Sequence, residues 1–143
     1  MIGMLISQFS TVMSGWVTYS GGCHCGAVRF EIDAQAQPTV QECTCTICRM
    51  TGFVHLIVPA SRFRLLHGEK ALTEYRFNTG VARHLFCKHC GVKSFYVPRS
   101  HPHGYSVNAR CLDDDVIAQC KWLPPFDDAN REAATAAIAH LAD

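Results

Sequence analysis

"GGCHCGAVRFEI", Gly21 to Ile32, and "FCKHCGVKSFYV", Phe86 to Val97, follow one local plan. Each sets a close pair of cysteines at a turn, follows the pair at once with glycine, and leaves the turn on a strand pattern. In the first, Val28, Phe30 and Ile32 alternate with Arg29 and Glu31, the period of a half-buried strand. Zinc in structural sites binds four thiolates in a tetrahedron, and two cysteine knuckles supply that geometry. The glycine after each pair lets the backbone fold back, so that amide N–H groups can point at the sulfurs. Cys23, Cys25, Cys87 and Cys90 are therefore assigned to a structural zinc site.

Outward from these knuckles, the chain from Trp16 to Leu112 reads as short strands punctuated by Gly, Pro and Asn. "WVTYS" precedes the first knuckle, "FVHLIVPA" is a β-rich run ended by Pro59, and "YSVNARCL" is a further strand. "LTEYRFNTGVARHLFCKHCGVKSFYV" reads as strand, turn at Asn78 to Gly80, strand, cysteine turn, strand. Only the tail has helical spacing, with Asp127 or Asp128 as cap and Ala133, Ala137, Ile138 and Leu141 as its apolar stripe. The predicted fold class is mainly β: short antiparallel sheets tied around a structural zinc, with a C-terminal helix at 128–142. Residues 16–143 form one domain in this reading, and residues 1–15 an extension, disordered or reflecting a native start at Met13.

Nine cysteines point either to disulfides in an oxidising compartment or to metal-held thiolates in a reducing one. "MIGMLISQFSTVMSGW" has no basic residue before its apolar part and no clear cleavage site, so it does not read as a secretory signal. Metal is the better reading, and a cytoplasmic location is the expectation. Net charge is +1, and neither end carries a basic run. That argues against nucleic acid or a membrane surface as partner.

"ECTCTICRMTG", Glu42 to Gly52, adds Cys43, Cys45 and Cys48, one thiol short of a closed site. Catalytic zinc keeps three protein ligands and leaves the fourth place to water or substrate. Three thiolates make the ion soft, so its natural exchangeable ligand is another sulfur, held as thiolate. Two alternatives stand beside this: a second structural zinc closed by Cys111, His55 or another side chain, and a redox pair without metal. Arg49 follows the cluster directly, while Arg99, His101 and His103 lie on a proline-rich loop suited to a binding wall. Cys120 reads as a small buried residue.

The ordered motifs "GGCHCGAVRFE", "CTCTICRMTG", "FCKHCGVKSFYVPRS" and "YSVNARCLD" resemble the glutathione-dependent formaldehyde-activating enzyme (GFA) family, which also contains centromere protein V. The resemblance runs from Val17 to Asp115, and "PRSHPHGYSVNARCLD" is closer to the centromere-protein-V-like (CENP-V) branch. It implies a Mss4-like fold, with Cys23, Cys25, Cys87 and Cys90 on the structural zinc and Cys43, Cys45 and Cys48 on the catalytic zinc. It also implies a carbon–sulfur lyase joining glutathione, or a similar small thiol, to formaldehyde. Glutathione carries two carboxylates, for which Arg49, Arg99 and Arg110 are candidate contacts. The resemblance equally admits a zinc-stabilised binding module without catalysis. A methionine sulfoxide reductase of the same fold normally uses paired C-x2-C knuckles, from which "CHCG" departs.

Overall fold

The protein is described by a computed structural model over residues 15–143. The expected extension and the candidate start at Met13 fall within residues 1–14, outside the described residues.

Strand β1 (Val17–Gly22) turns at the first knuckle and pairs antiparallel with β2 (Arg29–Ala34). β2 then takes β5 (Phe63–His67) on its other edge, which closes a three-stranded sheet. Val28, Phe30 and Ile32 are fully buried, as their alternation predicts. A second, five-stranded antiparallel sheet uses β4 (His55–Pro59), β6 (Leu72–Tyr75), β7 (Arg83–Cys87), β8 (Phe95–Val97) and β9 (Gly104–Asn108). Its spatial order is β4-β9-β8-β7-β6. The second knuckle is the turn between β7 and β8. A two-residue parallel pair, β3 (Thr39–Val40) with β10 (Lys121–Trp122), ties in the segment that leads to the tail.

The two sheets meet through aromatic rings. Phe30 of the smaller sheet stacks on Phe63 at 5.5 Å and meets Phe95 of the larger sheet edge-on at 5.8 Å. Phe63 stacks in turn on Tyr105 at 4.2 Å. Rings in offset and edge-on contact bury large areas at low entropic cost, which suits a core joining strands this short.

Two helices depart from the sequence expectation in detail. Helix α1 (Thr46–Thr51) occupies the three-cysteine stretch, which shows no helical period because six residues are too few to display one. Gly52 stops it, at φ +66, where a left-handed residue costs glycine little. The tail is α-helical only over α2 (Arg131–Ile138), with 3-10 turns at Asp128–Asn130 and Ala139–Ala142 on either side. Asp127 does cap, accepting from the N–H of Ala129. The predicted stripe is wrong in part: Ile138 is buried, but Ala133 and Ala137 are exposed. Within α2 the covered side runs through Ala134 and Ile138, four residues apart and about 100° round the helix from Ala133 and Ala137.

Phe30→Ala should cost about 3–5 kcal/mol of unfolding free energy, read by urea titration of the metal-loaded protein. A loss under about 1 kcal/mol would mean that the sheets do not depend on this ring.

Candidate active site and metal centres

The first knuckle folds because β1 and β2 bring its ends together. The N–H of Cys23 bonds the carbonyl of Val28 at 3.1 Å, and the N–H of Val28 reaches Cys23 Sγ at 3.3 Å. Gly22 has no room for a side chain: a Cβ there would stand 2.1 Å from the Val28 carbonyl oxygen. The second knuckle repeats the arrangement. The N–H of Gly91 bonds the Cys87 carbonyl at 2.8 Å, and the N–H of His89 points at Cys87 Sγ at 3.4 Å. Gly26 and Gly91 have φ of +83 and +76, which allows the chain to turn back at once. The four sulfurs of Cys23, Cys25, Cys87 and Cys90 lie within 4.8 Å of one another. Four thiols converging with amide N–H groups aimed at them fit a tetrahedral metal site.

The second cluster is built differently. Cys43 lies where the chain runs alongside Phe126, with the N–H of Thr44 bonded to the Phe126 carbonyl at 3.0 Å. Cys45 is the N-cap of α1 and Cys48 its one buried residue. The three sulfurs also lie within 4.8 Å of one another, and no fourth Cys, His, Asp or Glu among the described residues joins them. Cys111 does not close this site: its charge couples to Cys23 and Cys90, at the other cluster, and burial pushes its thiol up to about 11. The cluster's own titration is uneven. Hydrogen bonds from Cys43 and Cys48 drive Cys45 far down, while Cys43 rises to about 11 through its bond to Cys45, and Cys48 rises with it. Three thiolates this close together need a cation.

All three cysteines open onto a cavity of about 400 Å³, in the range of small-molecule sites. His55, His84 and Tyr96 form its sheet wall, Arg99 and Ser100 its loop wall, and Phe126, Arg131 and Ile138 its tail wall. Arg131 is held by Asp128, with Nε donating at 2.9 Å, and lies over the Phe126 ring.

Behind the wall is a buried lysine. Lys93, 8% exposed, sits 2.6 Å from His84 Nδ1, with its ammonium 4.0 Å from the Tyr96 ring centre and 4.9 Å from that of Phe53. Burial lowers its pKa to about 8, while the charges of Cys48, Cys45 and Cys43 hold it up. Burial, and then Lys93, push His84 down to about 4. A neutral His84 therefore accepts a hydrogen bond from the Lys93 ammonium, and that ammonium offsets the negative charge gathered at the thiols.

The structure brings together both predicted cysteine sets and sets Arg99 at the cavity. Arg49 lines a second depression, of about 410 Å³, together with Cys43, Cys48 and Arg110, whose Nε donates to the Gly52 carbonyl at 3.2 Å. His101 is buried, bonded from Nε2 to the Ile138 carbonyl at 3.0 Å, so it fastens the loop to α2. His103 is exposed. Cys120 is buried, as expected. Lys93, His84, Tyr96 and Arg131 are functional candidates that motif spacing misses. Lys93 precedes β8 rather than lying in it, and its ammonium stands over the Tyr96 ring, so strand alternation gives no signal for it.

The fold and its two thiol clusters define a small, mainly β protein equipped to bind metal. Residues 18–126 match the family described as glutathione-dependent formaldehyde-activating enzyme. The match takes in most of the chain, and the protein belongs to that family. A Halomonas elongata relative named "Putative glutathione-dependent formaldehyde-activating enzyme" is 26% identical over 104 residues, 67% of this chain. The match spans 66% of that relative, just under two thirds of its length. A crystal structure of a Rhodobacter sphaeroides protein, 32% identical, is similar with a TM-score of 0.64, covering 73% of this chain and 99% of that one. Among the described residues, no helix is long and apolar enough to cross a membrane.

Purified under reducing conditions, the wild-type chain should carry one more metal ion than Cys45→Ser, measured by elemental analysis. Equal metal content in the two proteins would remove the three-cysteine cluster as a metal site.

Proposed function

We propose that this protein is a zinc-dependent carbon–sulfur lyase working in the bond-forming direction, joining glutathione or a similar small thiol to formaldehyde or a related small electrophile. The observation that carries the reading is the convergence of three thiols, with no fourth ligand among the described residues, at a cavity of small-molecule size. One structural and one catalytic zinc are the expected complement, both in thiol sets that suit that ion. Zinc held by Cys43, Cys45 and Cys48 would supply a Lewis-acidic fourth position at which an incoming thiol is kept as its thiolate at neutral pH.

The chain's own residues have separable tasks. Cys43, Cys45 and Cys48 fix the reacting end of the cavity. Lys93 carries the balancing positive charge in a setting where burial makes each charge count for more than it would in water. Arg99 and Arg131 offer cations to the carboxylates of a peptide-like thiol. Phe77, Tyr96 and Phe126 narrow the space open to water. Holding two small reactants in one enclosure removes much of the entropy cost of their encounter, the contribution left to make when thiol and aldehyde already react unaided. Arg49 offers a further cation from the second depression, which Cys43 and Cys48 also line. The likeness of Pro98–Asp113 to the centromere-protein-V-like branch belongs to the same proposal, because Arg99 stands in that segment. A cytoplasmic setting, where glutathione is abundant and thiols stay reduced, accords with nine cysteines and no disulfide among the described residues.

Calorimetric titration of the zinc-loaded protein with glutathione should show one site per chain, absent in Cys45→Ser. Formaldehyde consumption should then exceed the spontaneous rate in proportion to protein added. A metal-loaded wild-type chain that binds no glutathione would favour the non-catalytic binding module instead. Arg99→Ala should weaken glutathione binding by about 1.5–3 kcal/mol, the range for a hydrogen bond to a charged group. Unchanged affinity would take Arg99 out of the site.

A further inference from the structure

Among the described residues, a single buried side-chain polar atom has no hydrogen-bond partner: Nε2 of His55. His55 begins β4, is 8% exposed, and lines the cavity that the three cysteines open onto. An unsatisfied buried nitrogen is costly, and one on a ring that lines a cavity offers a ligand a hydrogen bond.

The rest of the ring shows what that nitrogen offers. Nδ1 lies 2.8 Å from Ser106 Oγ and 3.3 Å from the Tyr96 hydroxyl. Neither hydroxyl reaches another acceptor among the described residues. If Nδ1 carried the proton, it would donate to one oxygen, and both hydroxyl protons would be left without acceptors. If Nδ1 is bare, its one in-plane lone pair accepts from Ser106 Oγ, the closer of the two, and fewer protons on that side go unused. The proton of the neutral ring then sits on Nε2. A ligating nitrogen must be bare, so this tautomer also bars His55 from closing the three-cysteine site.

We infer that His55 is a catalytic residue whose Nε2–H donates a hydrogen bond to the carbonyl oxygen of an aldehyde bound in the cavity. This rests on the proposed function and assigns its electrophile to the carbonyl class. As the thiolate sulfur bonds to the carbonyl carbon, the C=O π pair moves onto oxygen, and the Nε2–H of this cavity-lining ring would meet the growing charge. That oxygen takes a proton from solvent, equivalent to the one the thiol released. Thiol plus aldehyde gives the hydroxyalkyl thioether, with nothing oxidised or reduced. Burial holds the ring neutral, with its pKa lowered to about 3, so it remains a donor with one proton across the working pH range.

The test pairs spectroscopy with kinetics on the zinc-loaded full chain. ¹⁵N NMR of histidine-labelled protein should show the proton on Nε2 and a bare Nδ1 in the wild type. Ser106→Ala combined with Tyr96→Phe should release that preference. His55→Phe should keep metal content and glutathione affinity while slowing formaldehyde addition about 100-fold, and His55→Gln should recover part of the loss through its amide N–H. The inference is overturned by a proton on Nδ1 in the wild type, or by an undiminished rate in His55→Phe. Failure of the proposed function shows separately, as absent glutathione binding in wild type and variants alike.

Discussion

Everything else in this fold leans on the convergence of four sulfurs from two distant turns. Cys23 and Cys25 close the β1–β2 hairpin, and Cys87 and Cys90 close the β7–β8 hairpin, so their shared site joins the smaller sheet to the larger. Strands of three to six residues in separate sheets have little stability alone. The Phe30, Phe63 and Phe95 contacts supply apolar attraction between the sheets, but attraction of that kind is non-directional. The thiol site adds direction: it fixes one turn against another, and with it the positions of β7 and β8, whose His84 and Tyr96 face the cavity.

The second constraint is charge. A cluster of three thiolates is tolerable in a protein interior only beside cations, and the fold supplies one in Lys93, held by His84 and faced by the Tyr96 and Phe53 rings. A lysine in such a place costs desolvation, which its lowered pKa records. It is retained where an arginine would not fit the same purpose, because a compact ammonium can sit between two ring faces and one imidazole nitrogen. The aromatic ladder of Phe77, His84 and Tyr96, stacked at 5.2 and 4.9 Å, thus shapes the cavity wall and encloses the balancing charge.

The tail closes the cavity from the far side. The family match ends at residue 126, yet Asp128, Arg131 and Ile138 all line the cavity. Three contacts hold the tail there: the Cys43–Phe126 bridge, the N–H of Asp128 on Thr44 Oγ at 3.0 Å, and His101 on the Ile138 carbonyl. A chain can keep its thiol clusters within the matched segment and vary what the cavity admits through a segment outside it.

The sequence by itself determined the strand pattern, both cysteine groupings and their division into four and three. Each is a local property, written in period-two alternation and in spacings of a few residues. Helix α1 was illegible because six residues show no period, and the tail stripe was misread by one position, Ala134 rather than Ala133 lying with Ile138 on the covered side. Only the tertiary structure decided what surrounds the three thiols. Lys93, His84 and Arg131 are remote from Cys43–Cys48 in the chain, and no motif announces them. Their place follows from the order β4-β9-β8-β7-β6, which sets the walls of one cavity from strands that the sequence lists far apart. Arg49 lines a different depression from Arg99 despite its seat beside Cys48, since a helix turns neighbouring side chains about 100° from one another.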